Sequence, residues 1–413
     1  MVAARIPARA ALCLAMVALL ACRPPEPVGS PPPAVPTPAG AAAPVPPRAS
    51  RTQEPIVMPA PSSPAPAPAA TDEQVIRTAR MSVPRAAHTA TRLANGWVLI
   101  AGGCVLPSCE TGARSASAEL FDPTTGRFTP ANALTMPRVG HSATPLPHGR
   151  VLIAGGWSGA RPTASAEVYD PATGVFTSTG RLQTPRGGHT ATLLPDGRVL
   201  IAGGDDGQQA LASVEIYDPR TGSFIPAGTM TTARTAHTAS LLRDGRVLIT
   251  GGSRGAGDVL NSAEVYDPAH GAFQATGAMT AVRHKHAAVT LPDSRVLIVG
   301  GADGRDGLGQ YASTELYDPT SGAFREGTRM RSERFKLTSA VVLLPHGEVL
   351  VAGGATRVEI YNPDTASFRT VLGNLDADRA FSTATLLANG QVLIAGGYDT
   401  RIRLTADTWV YRP

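Results

Sequence analysis

A short apolar run that ends in a pair of glycines occurs seven times along this 413-residue chain. Counted from the first apolar residue to the second glycine, the copies are residues 98–103, 151–156, 199–204, 247–252, 296–301, 349–354 and 392–397. The glycine pairs begin at positions 102, 155, 203, 251, 300, 353 and 396, so the period varies between 43 and 53 residues. A repeat of this length predicts supersecondary units that bury their apolar faces against one another.

Each period predicts four short strands, as the third copy shows. Residues 189–194 and 199–202 read as two strands joined by a Pro-Asp-Gly turn, and residues 214–217 read as a third strand. Asp218, Pro219 and Gly222 then turn the chain into a fourth strand around Phe224. Asp-Gly turns supply the positive φ that tight hairpins need. Because the repeat shows no helical periodicity, the unit is predicted to be an antiparallel sheet.

The spacing of the glycine pair, a Glu-x-Tyr-Asp-Pro segment and a following aromatic residue resembles the kelch motif. The resemblance recurs seven times over roughly residues 74 to 413. It implies an all-β fold, a seven-bladed β-propeller with four antiparallel strands per blade. The aromatic column should pack between blades, and the glycines should allow close approach of neighbouring sheets. That column consists of Phe121, Tyr169, Tyr217, Tyr266, Tyr317, Tyr361 and Tyr411.

The last blade lacks a fourth strand of its own, because the sequence stops at Pro413, just after the third strand. Residues 75–81 have the spacing to supply it. Met81 lies 21 positions before Gly102, as Met230 lies 21 positions before Gly251. We therefore predict that an N-terminal strand closes the ring and removes an exposed sheet edge. Residues 73–413 are then one propeller domain.

The first 72 residues have a different composition. Arg5 and Arg9 precede an apolar stretch over residues 10–20, which is typical of a signal peptide. The sequence Leu-Leu-Ala-Cys that ends at Cys22 resembles a bacterial lipobox, which implies a lipoprotein signal peptide over residues 1–21 and a lipid on Cys22; an ordinary secretory signal is the alternative. Residues 22–72, rich in Pro and Ala, predict an extended, disordered tether. The expected location is the bacterial cell envelope, lipid-anchored, facing the periplasm or the cell surface.

The net charge limits the classes of partner that we expect, and the cysteines predict a disulfide. A formal net charge of +5 over 413 residues is too mild to indicate nucleic-acid binding, and membrane contact is expected through the lipid only. Cys104 and Cys109 share one loop of the first blade, which in an oxidising compartment favours a disulfide over a metal pair. We expect no cofactor, no metal and a monomeric propeller.

A basic residue stands seventeen positions before each glycine pair, and in five copies a histidine follows three positions later. Two interpretations compete for this ring at the predicted channel mouth. In the first, each base pairs with the repeated acid of the third strand. In the second, the bases form a funnel for an anionic ligand or acidic peptide. Histidines spread around a channel do not favour a metal site. The bases are Arg85, Arg138, Arg186, Arg234, Arg283, Lys336 and Arg379; the histidines are His88, His141, His189, His237 and His286, replaced by Ser339 and Ser382 in the last two blades; the acids are Glu119, Glu167, Glu215, Glu264, Glu315 and Glu359.

The connections after the glycine pairs carry residues that do not repeat. Turn alternation places them on the same rim as the basic ring. Mixed charges and aromatic rings on such loops indicate a contact surface for a protein or a glycan, although plain solvated loops are the alternative. The candidate residues are Trp157, Arg161, Asp205, Asp206, Arg254, Asp303, Arg305, Asp306, Tyr311, Tyr398, Arg401 and Arg403.

These observations favour a binding or scaffolding module at the cell envelope, with a protein or glycan partner that the sequence does not identify. The alternative is a carbohydrate-active enzyme, because some kelch propellers resemble galactose oxidase or sugar mutarotases. The copper pattern of galactose oxidase has no counterpart here, and no nucleophile elbow, zinc helix or phosphate loop occurs, so no catalytic residue is assigned. A purely structural envelope protein is the third possibility.

Overall fold

The computed structural model describes residues 73–107 and 114–413, which form seven four-stranded antiparallel sheets. The predicted all-β fold, a seven-bladed propeller with four strands per blade, is confirmed. Two single-turn 3-10 segments, Pro147–Gly149 and Asp306–Leu308, lie in connections. No helix within these residues is long and apolar enough to cross a membrane. The predicted signal peptide, Cys22 and the tether lie outside the described residues, as does Cys109.

The strands follow the repeat that the glycine pairs define. In chain order they are β1 (Gln74–Arg77); β2 (Thr89–Arg92), β3 (Val98–Ala101), β4 (Ala118–Asp122) and β5 (Arg127–Ala131) of blade 1; β6 (Ser142–Pro145), β7 (Val151–Ala154), β8 (Trp157–Ser158), β9 (Arg161–Pro162), β10 (Ala166–Asp170) and β11 (Val175–Ser178) of blade 2; β12 (Thr190–Leu193), β13 (Val199–Ala202), β14 (Ser213–Asp218) and β15 (Ser223–Thr229) of blade 3; β16 (Thr238–Leu241), β17 (Val247–Thr250), β18 (Ser253–Gly255), β19 (Asp258–Val259), β20 (Ala263–Asp267) and β21 (Ala272–Ala275) of blade 4; β22 (Ala287–Thr290), β23 (Val296–Val299), β24 (Thr314–Asp318) and β25 (Ala323–Glu326) of blade 5; β26 (Val341–Leu343), β27 (Val349–Val351), β28 (Glu359–Asn362) and β29 (Ser367–Thr370) of blade 6; and β30 (Thr383–Leu386), β31 (Val392–Ala395) and β32 (Thr408–Arg412) of blade 7. The pairs β8–β9 and β18–β19 are small hairpins outside the blade sheets.

The N-terminal strand β1 completes blade 7. It pairs antiparallel with β32, with Gln74 opposite Arg412 and Arg77 opposite Trp409. The blade order is therefore β1-β32-β31-β30, which confirms the predicted ring closure. The strand is shorter than predicted, and Met81, which lies beyond its end, is buried in the cluster between blades 7 and 1.

The apolar core lies between blades. Each of seven buried clusters combines side chains from two neighbouring sheets, as where Leu152 and Ala154 of blade 2 meet Val199, Ile201 and Tyr217 of blade 3. The repeated aromatic residue is buried in these clusters, and in blades 1 to 6 it packs against the aromatic residue of the fourth strand. Tyr217 and Phe224, for example, have ring centroids 4.8 Å apart. In blade 7, Tyr411 lies opposite Val75 of β1. The aromatic column is thus structural, as predicted.

The glycine pairs are required by both conformation and space. Gly203 and Gly204 have φ of 60° and 98°, a region that glycine adopts without strain. A Cβ atom on Gly203 would lie 2.5 Å from the carbonyl oxygen of Arg234 in the next blade. The first strand of each blade is the innermost, and neighbouring first strands contact one another around the axis. The segments that lead into these strands therefore surround the mouth of the central channel.

Candidate binding site at the channel mouth

The repeated arginines are buried in ion pairs and hydrogen bonds within each blade. Arg186, which is 0% exposed, places Nη2 2.8 Å from Glu215 Oε1 and donates from Nη1 to the carbonyl oxygens of Gly203 and Ser213, at 2.7 and 2.9 Å. Glu215 also accepts a hydrogen bond from the backbone N–H of Gln183 at 2.7 Å. The same pairs are Arg85–Glu119, Arg138–Glu167, Arg234–Glu264, Arg283–Glu315 and Arg334–Glu359. These guanidinium groups are enclosed by the blades and do not face a ligand.

Blade 6 corrects the predicted ring, because Arg334 and not Lys336 forms the ion pair with Glu359, at 2.8 Å. Two extra residues lie between this base and the glycine pair. They form a turn in which the Ala340 N–H donates to the Leu337 carbonyl oxygen, so counting back from Gly353 gives the wrong residue. Leu337 then takes the place predicted for Ser339. A Cβ atom on Gly300 would lie 3.0 Å from Leu337 Cδ1, at the place where five of the other glycine pairs meet a histidine ring and Gly353 meets Ser382.

Blade 7 is also different, because Trp409 stands where the other blades have the glutamate. Ile394 of β31 faces Trp409, as Ile201 of β13 faces Glu215 in blade 3. The Arg379 guanidinium lies 5.3 Å from the Trp409 ring centroid, and its Nε donates to the Leu375 carbonyl oxygen at 3.2 Å. Arg379 is therefore buried without the carboxylate that its counterparts contact directly.

The five histidines connect neighbouring blades. His189 Nε2 of blade 3 lies 2.9 Å from Ser142 Oγ of blade 2, and its Cε1 packs beneath Gly155. The equivalent hydrogen bonds join His88 to Thr383, His141 to Thr89, His237 to Thr190 and His286 to Thr238. Burial lowers the pKa of His88, His189 and His237 to about 3, and it lowers the pKa of His141 and His286 well below the ordinary value. The ring is therefore neutral at physiological pH and fills space between blades.

Two positions in each blade carry side chains that the scaffold does not repeat. The first lies two residues after the arginine and has a left-handed backbone, with φ between 50° and 64°. Backbone hydrogen bonds link several of these residues around the mouth, for example from Gly188 N–H to Gly140 O at 3.0 Å and from Ala236 N–H to Gly188 O at 3.2 Å. The series is Ala87, Gly140, Gly188, Ala236, Lys285, Lys336 and Phe381. Sequence reasoning missed it as a series, although the two lysines of the whole chain both occupy it.

The second position directly follows the glycine pair. In blade 3, Asp205 exchanges two backbone hydrogen bonds with Gly187, at 2.9 and 3.0 Å, and the equivalent pairs hold this position in blades 1, 2, 4, 5 and 7. In these six blades the same backbone pairing thus presents the side chain of this position at the same place. The series is Cys104, Trp157, Asp205, Ser253, Ala302, Ala355 and Tyr398.

Six residues of the first series and three of the second line a cavity of about 520 Å³ at the mouth. Trp157, Asp205, Lys285 and Phe381 line it, together with hydroxyl groups of the first strands such as that of Thr190. A concave, mixed polar and apolar cavity of this size is typical of small-molecule and peptide side-chain sites. Of the residues predicted for ligand contact, the structure brings Trp157 and Asp205 to this cavity.

The other predicted contact residues lie farther out on the same rim. Arg254 pairs with Asp258 at 2.8 Å, Arg305 pairs with Asp303 at 2.7 Å, and Arg403 pairs with Asp399 at 2.6 Å. The Arg254–Asp258 pair is exposed on both sides, and exposed ion pairs of this kind contribute little to stability. Arg161 and Arg401 are exposed, Asp206 accepts backbone N–H groups of its own loop, and the Tyr311 ring lies 5.2 Å from the Arg283 guanidinium carbon. Asp306 begins a single 3-10 turn.

An aromatic cluster holds Lys336 on the side of blades 6 and 7. Its Nζ atom lies 4.4 Å from the ring centroid of Phe335, 5.6 Å from that of Phe381 and 5.4 Å from that of Tyr398. These distances are in the range of cation–π contacts. Lys336 is thus a mouth residue, and the role predicted for it in the buried ring belongs to Arg334.

Comparison with solved structures gives a relative by fold. No curated protein sequence matches the chain. A fungal alcohol oxidase of the AA5 family, solved in complex with copper, aligns with a TM-score of 0.69 and 18% sequence identity, over 83% of this chain and 77% of that one. At this identity the likeness shows the propeller fold alone.

The described residues do not fit a copper site of the kind such a neighbour holds. No group of three or more His, Cys, Asp or Glu side chains within them could hold a metal ion. The Nε2 atoms of the five histidines are each bonded to a hydroxyl of the adjacent blade, and the repeated tyrosines are packed in the core. Cys104 is disulfide-bonded, and because Cys109 lies outside the described residues, the pairing of these two cysteines stays a prediction.

Sequence families identify three of the blades directly. The Kelch motif matches residues 137–183, 186–231 and 234–278, which contain blades 2, 3 and 4. The remaining blades have the same strand order, the same glycine pairs and, in blades 1, 5 and 6, the same buried ion pair. The three matched motifs and the seven blades fit a kelch-repeat family.

Proposed function

We propose that this propeller is a binding module that takes a protein or glycan partner at the channel mouth. The observation that carries the proposal is that, at one rim, the repeated side chains make contacts within the scaffold while non-repeated side chains face the cavity. The repeated arginines are enclosed within blades, and the repeated histidines, four of which also border the cavity, are hydrogen-bonded between blades. The non-repeated Trp157, Asp205, Lys285 and Phe381 line the same cavity. Side chains that the scaffold does not require are free to determine specificity.

The scaffold supports this use because it is rigid where the variable residues attach. The segment before each first strand is held by the buried arginine, and the residue after each glycine pair is held by two backbone hydrogen bonds in six blades. Preorganised positions lower the entropy cost of binding a partner.

The test is capture of partners from cell-envelope extracts with the full chain, run beside a glycan array. Trp157→Ala should lose the captured partner or glycan with its melting temperature nearly unchanged. Charge reversal at Arg198 or Arg246, which pair with Asp196 and Asp244 in turns of the opposite rim, should leave capture intact. If the Arg198 and Arg246 variants lose capture and Trp157→Ala does not, the binding surface lies on the opposite rim and the proposal is wrong.

We further propose that the chain is exported and anchored by a lipid on Cys22. The motif before Cys22 and the Pro/Ala-rich composition of residues 22–72 support this. A Cys22→Ser variant should lose both its acyl label and its partition into the detergent phase. Equal labelling of the variant would contradict the proposal.

The carbohydrate-active alternative is separable by experiment. Turnover of galactose or other primary alcohols by the copper-supplemented chain would support it, and mutarotation of a reducing sugar followed by polarimetry covers the second enzyme type. Under the binding proposal neither reaction exceeds the rate of the buffer control.

A further inference from the structure

Trp157 and Asp205 occupy the same structural position in neighbouring blades, the one directly after the glycine pair. Both line the cavity at the mouth. Of the seven residues at that position, they alone supply an indole and a carboxylate.

Two glycines bring these side chains together. The Trp157 indole covers Gly187, since a Cβ atom there would lie 2.3 Å from its Nε1. Gly187 is the residue that exchanges backbone hydrogen bonds with Asp205. The other end of the indole reaches Gly207, whose Cβ would lie 3.8 Å from Cζ3 and whose N–H donates to Asp205 Oδ1 at 2.7 Å. The indole therefore borders both Gly207, whose N–H binds the Asp205 carboxylate, and Gly187, which pairs with the Asp205 backbone.

The Asp205 carboxylate is buried and only half satisfied. The residue is 8% exposed, and its Oδ2 is buried with no hydrogen-bond partner within the described part of the chain. Burial raises the pKa of Asp205, and the nearby Asp206 raises it further against the hydrogen bond from Gly207. A buried oxygen of this kind costs free energy until a donor reaches it.

Other acids in equivalent loops have their partner within the loop. Asp303 pairs with Arg305, Asp399 pairs with Arg403, and Asp258 pairs with Arg254. Among the ion pairs of the described residues, none includes Asp205. The loop that carries Asp205 contains a second acid, Asp206, and two glutamines, Gln208 and Gln209, instead of an arginine. The loop that carries Asp205 is thus negatively charged beside an aromatic ring, and Lys285 also lines the cavity.

We propose that Trp157 and Asp205 form a site for an organic ammonium group, which the carboxylate contacts as an ion pair and the indole contacts through its π face. The proposal rests on the proposed function, since it names the ligand chemistry of the same mouth. An ammonium donates the hydrogen bond that Oδ2 lacks and offsets the charge of both acids. Tryptophan is the aromatic side chain that attracts cations best. Because Oδ2 is out of contact with solvent in the free chain, binding includes a small rotation of the carboxylate toward the cavity.

The test uses two matched ligand pairs with the full chain, followed by calorimetry and by tryptophan fluorescence. Choline is compared with its neutral isostere 3,3-dimethylbutan-1-ol, and n-butylamine with n-butanol. Each cation should bind at least about tenfold more tightly than its neutral partner, as expected for a charge-assisted contact in a partly buried site. N-acetylglucosamine serves as a neutral sugar and should not compete with choline.

Variants assign the effect to the two side chains. Asp205→Asn and Trp157→Leu should each weaken choline binding by about tenfold or more. Gly187→Ala keeps both groups but displaces the indole, so it should weaken binding as well. Asp303→Asn, which removes an acid already paired with Arg305, is the matched control and should bind choline as the unaltered chain does. Melting curves establish that each variant is folded.

Three results would overturn the inference. The first is equal binding of the neutral isosteres, and the second is unchanged choline affinity in Asp205→Asn. The third is the absence of saturable binding of either amine up to the millimolar range; water would then be the partner of Oδ2. Partner capture that needs Trp157 but is not competed by choline would overturn this inference and leave the proposed function standing. Choline binding without any captured partner or glycan would do the reverse.

Discussion

Removal of one buried arginine tests whether the repeated bases build the propeller or receive a ligand. Arg186→Ala deletes the donor for Glu215 Oε1, Gly203 O and Ser213 O at once. Glu215, which is 2% exposed, is then left as a buried carboxylate whose remaining partners are backbone N–H groups of residues 183 and 184. Breaking a buried pair by removing one partner costs about 3 to 5 kcal/mol.

This cost converts into a measurable shift of the melting temperature. A domain of roughly 340 residues unfolds with an entropy of about 0.7 kcal/mol/K, so the expected fall is about 4 to 7 °C in a calorimetric scan. Replacing both partners with apolar residues, as in Arg186→Met with Glu215→Leu, should recover part of the loss, because no charge is left unpaired.

Blade 7 provides the matched control. Arg379 has Trp409 in place of the glutamate, so Arg379→Ala leaves no carboxylate without a partner and should cost only about 1 to 2 kcal/mol, from the lost ring contact and hydrogen bond. A melting temperature of Arg186→Ala within a degree of that of the unaltered chain would contradict a structural role for the buried ion pair. Loss of ligand binding with no loss of stability would show that the arginines are a basic funnel.

Three further predictions concern stability. The pKa of His189, about 3, lies below the ordinary 6.5, so the unfolded chain binds more protons than the folded one. The free energy of unfolding should therefore fall as the pH drops below 6.5, by about 2 kcal/mol per such histidine at pH 5. His189→Gln should flatten the pH dependence of the melting temperature, and an unchanged slope would contradict the burial argument. Gly203→Ala should lower the free energy of unfolding, measured by chemical denaturation, by about 3 kcal/mol, because the added Cβ meets the next blade. Gly271 has a φ of 61° and open space around it, so Gly271→Ala should cost about 1 kcal/mol. Equal costs would refute the steric argument. Deleting residues 72–82 removes the partner of β32 and should cause aggregation or a much lower melting temperature, and an intact melting curve would mean that β1 does not close the ring.

The fold was predictable because its determinants are local and repeated. A glycine pair, an Asp-Gly turn and an aromatic column recur in each period, and together they specify four strands. The closing role of β1 also followed from spacing, since Met81 keeps the offset that Met230 has from its own glycine pair.

The mouth was predictable only in part. Spacing failed in blade 6, where a two-residue turn shifts Arg334 out of register and Lys336 into the aromatic cluster. The ring of left-handed residues could not be derived from propensity, because alanine, lysine and phenylalanine seldom adopt that conformation; hydrogen bonds between blades impose it. Nor does sequence separation indicate that Trp157 lies on Gly187, thirty positions away.

Ring closure by β1 also sets how the molecule carries mechanical load. Tension that arrives through residue 73 meets three attachments: the ladder between β1 and β32, the hydrogen bond from Val75 N–H to Leu372 O, and the ion pair of Glu73 with Arg369. The Arg369 guanidinium also binds Glu348. Force is thereby spread over blades 6 and 7, which also contribute the aromatic cluster of the mouth. A pull strong enough to detach β1 would strip the outermost strand from blade 7, so the attachment of this one strand limits the force under which the ring stays closed.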